Sequence, residues 1–138
     1  MKAIFKAIII VISSISVQAC GNLNATNPMI NSVQESNSNL LSAVEKQDAK
    51  LVSEILRSKP NLEIKDHQGR TALMIATYNE DTGIAEMLIL AGANVNAQDK
   101  MLNSPFLYAG ASGFVPILKL CLANCADCKV YNRYGGTA

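Results

Sequence analysis

The feature that most constrains the fold of this chain is a sequence that repeats every 33 residues. The segment DHQGRTAL at Asp66 aligns with DKMLNSPF at Asp99 and with NRYGGTA at Asn132. Apolar positions follow the same step: Ala43, Ala76 and Ala109; Leu51, Ile84 and Ile117; Leu56, Ile89 and Leu122. Agreement at one fixed step predicts a repeat architecture, in which each unit buries its apolar side against its neighbours.

Each unit reads as a turn, a short helix, a loop and a second helix. In the unit from Asp66, Thr71 stands where a hydroxyl caps a helix, and the loop is predicted at about 79–82. Gly92 follows the second helix, where a left-handed backbone costs glycine little. In the next unit Pro105 and Pro116 stand in the first turns of the two helices, which tolerate a missing N–H. The pattern predicts an all-α fold.

The pattern D-x-x-G-x-T-A-L-x-x-A…G-A-N-V-N resembles the ankyrin repeat, and the resemblance covers residues 40–138. It implies an ankyrin-repeat solenoid of helix-loop-helix units with β-turn tips. The repeats are expected at about 33–65, 66–98 and 99–131, and 132–138 begin another. We expect the solenoid to be incomplete at its C-terminus, as part of a longer protein; the alternative is a short natural chain that pairs its open end with a partner.

The third repeat departs from the family pattern at two glycine positions. Leu102 replaces the turn glycine and Cys125 replaces the glycine after the second helix, so we expect more backbone strain in this repeat. Met74 and Leu107 replace the family's helix-one histidine, which removes a side-chain hydrogen bond without breaking the period. The first repeat has more polar outer positions, as expected of an N-terminal capping repeat.

The N-terminus has the layout of a secretory signal peptide over residues 1–19. Lys2 and Lys6 form a basic start, and the apolar core at 7–17 is shorter than the ~20 residues that a spanning helix needs. Val17-Gln18-Ala19-Cys20 resembles a bacterial lipobox, which implies lipidation of Cys20, although Gln18 departs from the usual residue. Ordinary signal-peptidase cleavage before Cys20 is the alternative. Gly21 favours the outer membrane for a lipoprotein.

Residues 20–39 are rich in Asn and Ser without a sustained apolar period, and we expect a disordered tether there. The net charge of the whole chain is +1, and it becomes −1 once Lys2 and Lys6 leave with the signal peptide. Such a balance gives no general attraction to phosphates, so we expect no nucleic-acid partner.

The resemblance to ankyrin repeats implies contact with another protein through the turn tips and the exposed front of each first helix. The predicted protein-binding surface comprises Lys65, His67, Gln68, Arg70, Tyr78, Asn79, Lys100, Met101, Asn103, Tyr131, Arg133 and Tyr134, with Gln98, Ala111 and Ser112 beside the second tip. Tyr and Arg are the residue types that most often anchor interfaces. The alternative for any single residue is a solvated loop position.

The sequence lacks the residue patterns that common catalytic sites require. His67 is the only histidine, so neither a histidine-based metal site nor a Ser-His-Asp relay is expected. Gly135-Gly136 is a turn pair and does not form a phosphate-binding loop. We therefore expect no catalytic residues, no metal, no cofactor and no small-molecule substrate.

Three cysteines close together leave several interpretations open. Cys121 occupies a core position of the second helix, and we expect it to be buried. Cys125 and Cys128 flank the following turn, and either a disulfide between them or two free thiols fits an exported chain. A redox or metal role is the third alternative.

These observations predict an exported bacterial ankyrin-repeat protein in the periplasm or at the outer membrane, lipid-anchored at Cys20, that binds another protein without catalysis. One alternative is a thiol-redox protein that uses Cys125 and Cys128. A second alternative is a secreted effector that binds host proteins.

Overall fold

The computed structural model describes residues 39–138. The predicted signal peptide, Cys20 and the predicted tether up to residue 38 lie outside the described residues. Within 39–138 the chain forms helices and no strand. The helices are α1 (39–45, as far as it is described), α2 (Ala49–Arg57), α3 (Ala72–Tyr78), α4 (Thr82–Leu90), α5 (Pro105–Ser112) and α6 (Val115–Ala123). The predicted all-α fold is confirmed.

The helix starts keep the 33-residue step, and a capping side chain precedes four of them: α2, α3, α4 and α5. Asp48 and Asp81 each accept a hydrogen bond from a backbone N–H in the first turn of α2 and α4, at 3.0 and 2.9 Å. Thr71 caps α3 as predicted, accepting from Met74 N at 3.4 Å, and Ser104 caps α5 in the same way. Helix α4 begins at Thr82, the last residue of the predicted loop.

The core lies between successive helix pairs, where each repeat covers the apolar side of the one before it. Helix α3 packs on α5, and α4 packs on both α2 and α6. Ile84 and Leu88 of α4 are fully buried in this arrangement, as is Ile117 of α6. Each fully buried side chain of this size stabilises the fold by about 1.5–3 kcal/mol relative to leaving it exposed.

Left-handed backbone conformations recur with the same period. Within residues 39–138, three equivalent positions of the repeat have positive φ. The first series is 47, 80 and 113, the second is 59, 92 and 125, and the third is 69, 102 and 135. The predicted strain in the third repeat is confirmed, because Leu102 (φ 61°) and Cys125 (φ 63°) adopt the conformation that Gly69 and Gly92 adopt one repeat earlier. The sequence did not predict the others: Gln47, Lys59 and Glu80 also have positive φ.

No helix in residues 39–138 is long and apolar enough to span a bilayer.

Candidate protein-interaction surface

Each tip is organised by one side chain that accepts hydrogen bonds from its own backbone. We call residues 66–70, 99–103 and 132–136 tips two, three and four, after the repeats that they open. At tip two Asp66 Oδ1 accepts from the backbone N–H of Gln68 and Arg70, at 2.8 and 2.9 Å. Asp99 and Asn132 accept from the N–H groups two and four residues later in the same way. The first residue of each tip therefore stabilises the conformation of its own loop.

The tips are also bonded to one another. Lys100 N donates to Gln68 O at 3.2 Å, and one repeat later Arg133 N donates to Met101 O at 3.0 Å. A Cβ added to Gly69 would lie 3.0 Å from Lys100 N, so the absence of a side chain there allows the close approach. The three tips form one continuous row with a fixed backbone.

Arg70 forms ion pairs both within tip two and with the preceding repeat. Its Nε donates to Asp66 Oδ2 at 2.7 Å, its Nη2 forms an ion pair with the same oxygen, and Glu45 Oε1 lies 3.6 Å from that Nη2. Burial acts to raise the pKa of Asp66, but the hydrogen bonds from Arg70 and Gln68 outweigh it and hold the pKa below its ordinary value. The Arg70 charge is thus neutralised inside the protein.

Tyr78 connects the first helix of repeat two to tip three. Its hydroxyl donates to Asp99 Oδ2 at 3.0 Å, and its ring lies 3.9 Å from the ring of Tyr108 and 5.7 Å from the Arg70 guanidinium carbon. Burial and the Asp99 carboxylate raise the pKa of Tyr78 to about 12. The neutral hydroxyl of Tyr78 donates to Asp99 and thereby fixes the position of the Tyr78 ring relative to tip three.

Three other cations of the surface have backbone acceptors. Lys65 Nζ donates to Gln98 O at 2.8 Å, Lys100 Nζ to His67 O at 2.6 Å, and Arg133 Nη2 to Lys100 O at 3.2 Å. We call Lys65, Lys100 and Arg133 the basic row. Their charges face solvent, since all three residues are exposed.

A groove of about 350 Å³ separates tips two and three. It is lined by His67, Gln68, Arg70, Tyr78, Asp99, Lys100 and Met101. Six of these seven residues belong to the predicted surface, and Asp99 is the addition. The groove has room for a side chain of a partner, with Tyr78 and Met101 offering apolar surface and Lys100 a charge.

The predicted surface residues divide into two groups by exposure. The exposed ones are Lys65, His67, Gln68, Lys100, Tyr131, Arg133 and Tyr134. The half-buried ones are Arg70, Tyr78, Asn79, Met101 and Asn103. Asn79 faces inward for a clear reason, because its amide donates to Val44 O of the preceding repeat at 3.3 Å.

Sequence reasoning missed the residues that hold the surface in shape. Asp66 and Asp99 belong to the repeat pattern, and the hydrogen-bond acceptors expected at turn starts could have identified them. Tyr108 had no such signal, because the 33-residue step aligns it with Ile75 and not with Tyr78. Its contact with Tyr78 arises only from the packing of α3 on α5.

The three cysteines of repeat three differ in burial. Cys121 is fully buried, as predicted, and burial raises the pKa of its thiol to about 11. Cys125 and Cys128 are exposed free thiols, so the bridge considered between them is not formed in the structure. In residues 39–138 no three His, Cys, Asp or Glu side chains converge to hold a metal ion.

Comparison with known proteins places this architecture among ankyrin-repeat proteins. The family model for ankyrin repeats (3 copies) matches residues 9–99. The match begins within the predicted signal peptide and ends at the first residue of the predicted third repeat, so α5 and α6 lie beyond it. YahD of Escherichia coli (strain K12), named for its ankyrin repeats, is 29% identical over 96 residues, which are 70% of this chain and 48% of YahD.

Two solved structures support the same fold. An ankyrin repeat domain from Acinetobacter baumannii AYE is 47% identical with a TM-score of 0.68, covering 71% of this chain and 50% of that one. The ankyrin repeat protein EF0377 is 41% identical with a TM-score of 0.70, covering 73% and 52%. This chain therefore spans about half the length of each of these three proteins.

Proposed function

This chain belongs to the ankyrin-repeat family, and we propose that it is a non-catalytic module that binds another protein through its tip surface. The observation that carries the proposal is the continuous row of tips, bonded to one another through Lys100 N and Arg133 N. A surface whose backbone is already fixed loses little conformational entropy on binding. The row presents exposed Lys, Arg, Tyr and Gln side chains from three repeats on one side of the stack.

Cross-linking from two sides of the molecule tests this proposal. A photo-reactive amino acid replaces His67 on tip two, and in a second protein it replaces Glu86, an exposed residue of α4. We expect a discrete cross-linked partner from envelope extracts with the probe at position 67 and none with the probe at position 86. Cross-links only at position 86, or at neither position, would contradict the proposal.

Two substitutions with matched exposure measure how much the surface contributes. Tyr134 on tip four is 79% exposed and Leu90 on α4 is 80% exposed, so neither replacement by Ala opens a cavity. We expect Tyr134→Ala to weaken binding of the cross-linked partner by about fivefold or more, as for an aromatic interface anchor. Leu90→Ala should leave the affinity unchanged. Equal effects would place the interface elsewhere.

We further propose that the protein is located in the cell envelope, where a lipid anchor at Cys20 holds it. The support is the sequence of residues 1–20 alone: a basic start, a short apolar core and a lipobox-like end. Two acyl chains on one cysteine give stable anchoring, whereas one chain gives marginal binding.

Mass spectrometry of the mature N-terminus separates the possibilities for export. A protein that begins at Cys20 with a diacylglyceryl group supports the anchored form. An unmodified N-terminus at Cys20, together with free protein in the medium, would favour the secreted effector. An intact Met1 would contradict cleavage before Cys20 and with it the lipid anchor.

A further inference from the structure

The cations of the basic row have no carboxylate partner in the described part of the chain. Both ion pairs within residues 39–138 are made by Arg70, to Asp66 and to Glu45. Lys65, Lys100 and Arg133 donate to backbone carbonyls instead. These bonds orient the side chains but leave their positive charges unneutralised.

The two carboxylates of the tips, Asp66 and Asp99, already have hydrogen-bond partners within the protein. Asp66 is bonded to the guanidinium and backbone of Arg70, and Asp99, only 7% exposed, accepts from two backbone N–H groups and from Tyr78. At tip four the corresponding residue is Asn132, which makes the same backbone bonds without a charge. The positive charge of the tips therefore stands out on a chain whose net charge is only +1.

The groove between tips two and three places a second requirement on a partner, in addition to negative charge. It lies between tips two and three, next to Lys100, and Tyr78 and Met101 line it. The Tyr78 ring is held by Tyr108 and its hydroxyl by Asp99, so the groove wall is rigid. A partner that fills this space brings an apolar side chain between its charged positions.

We infer that the partner segment that docks on this surface is an extended acidic stretch of protein, with carboxylates facing Lys65, Lys100 and Arg133 and one apolar side chain in the groove. This inference rests on the proposed function and specifies the chemistry of the partner. Lys65 directly precedes tip two, Lys100 lies in tip three and Arg133 lies in tip four, so a chain that runs along the tips meets them in turn. Because the cations are oriented by carbonyls beforehand, little side-chain entropy is lost when they pair.

An anionic membrane surface would satisfy the charges but not the groove. A bilayer is broad and meets the tips alone, leaving the space beside Tyr78 and Met101 unfilled. A single extended peptide reaches both, because its side chains alternate in direction. The observations therefore favour a peptide over a lipid surface.

Binding of defined probes tests the inference. The first probe is a short fluorescent peptide with Glu at alternating positions and a central Phe; its controls carry Gln for every Glu, or Ala for the Phe. The protein is the full chain and a triple variant, Lys65→Gln, Lys100→Gln and Arg133→Gln. Since each exposed pair contributes about 0.2–1 kcal/mol, we expect the triple variant to bind the acidic peptide about tenfold more weakly at low salt. Added salt should reduce this difference.

A matched triple variant controls for net charge. Lys50, Lys119 and Lys129 are exposed and lie outside the tips, so Lys50→Gln, Lys119→Gln and Lys129→Gln change the charge by the same amount. We expect less than a twofold change for this protein. Where the tip variant unfolds, the single variant Arg133→Gln, whose lost bond is a 3.2 Å contact to a carbonyl, carries the comparison.

Several results would overturn the inference. They are equal binding of the Glu and Gln peptides, equal binding of the Phe and Ala peptides, equal losses in the two triple variants, or binding of phosphatidylglycerol vesicles with no binding of the peptide.

The cross-linking experiment distinguishes the two proposals. A partner cross-linked at position 67 through a segment without acidic residues would retain the proposed function and refute the acidic segment. Failure to cross-link any partner there would refute the proposed function itself.

Discussion

Repeat two and repeat three adopt the same backbone with different residues at the most demanding positions. Where repeat two has Gly69 and Gly92 at φ 80° and 98°, repeat three has Leu102 and Cys125 at 61° and 63°. A left-handed conformation costs a residue with a Cβ roughly 1–2 kcal/mol. The comparison teaches that tip hydrogen bonds and packing between repeats impose the backbone even where the local sequence opposes it.

The two repeats also differ in how well their helices are covered and capped. Ile89 of α4 is 7% exposed, because it is covered by the next repeat, whereas its counterpart Leu122 of α6 is 48% exposed. Helix α4 has the side-chain cap of Asp81, while α6 follows Phe114 without one. Repeat three is therefore the weaker unit, and we expect its helices to open before those of repeat two.

The largest expected effect tests the difference in coverage. Ile89→Ala should lower the free energy of unfolding by about 3 kcal/mol, because it removes buried apolar atoms and leaves a cavity. Leu122→Ala should lower it by less than about 1 kcal/mol, since half of that side chain is already in water. Equilibrium urea unfolding measures both values. Similar losses would show that the Leu122 face is covered in solution.

The second effect compares thiols within repeat three. Since burial raises the pKa of Cys121 from 9.0 to about 11, its thiolate fraction at pH 8 is about 100-fold lower than that of a thiol with the ordinary value. We expect iodoacetamide at pH 8 to label Cys125 and Cys128 first and Cys121 at least about 100-fold more slowly, as followed by peptide mass spectrometry. Rapid labelling of Cys121 would indicate that α6 opens readily.

The same burial predicts a pH dependence at the alkaline end. The folded state holds the Cys121 proton more tightly, so this contribution to stability is complete below pH 9 and is lost as the pH rises towards about 11. Cys121→Ala should remove that part of the alkaline loss, as measured by urea unfolding at pH 8 and pH 10.

The third effect tests the left-handed positions directly. Leu102→Gly should stabilise the fold by about 1 kcal/mol, because it relieves backbone strain and sacrifices a side chain that is 47% exposed. Gly69→Ala should destabilise it by more than about 1 kcal/mol, because its Cβ would also lie 3.0 Å from Lys100 N. A shift of the thermal midpoint in opposite directions confirms the comparison; a loss for Leu102→Gly contradicts it.

The smallest effect concerns the acid end of the pH range. Because the pKa of Asp66 is held below its ordinary 3.8, its ionised carboxylate stabilises the fold above pH 3.8, and this contribution is lost as the pH falls below that value. Asp66→Asn, which copies the natural residue of tip four, should be less stable than the wild type at pH 7 and lose less between pH 5 and pH 2. An unchanged acid profile would assign that loss to other carboxylates.

Much of the candidate surface followed from the repeat together with the resemblance to ankyrin repeats, which implies contact through the tips. The step of 33 residues placed the tips, and a tip exposes the residues that follow its first one, so Lys100 and Arg133 were found as surface residues. The same reasoning gave Arg70 and Tyr78 equal standing with them. It had no means to show that Asp66 neutralises Arg70, or that Asp99 binds the Tyr78 hydroxyl, because those partners depend on how the turns close and the repeats stack.

The sequence by itself determined the all-α repeat, the helix starts and the strained positions Leu102 and Cys125. These follow from spacing, capping residues and the absence of glycine, which act within one turn or one repeat. The tertiary structure decided which side chains of the predicted surface remain available. Asn79 binds Val44 O and Arg70 pairs with Asp66 and Glu45, whereas Lys65, Lys100 and Arg133 have no carboxylate partner within residues 39–138. The physical reason is that charge pairing depends on distance in space, and residues about 30 positions apart meet only after the repeats stack.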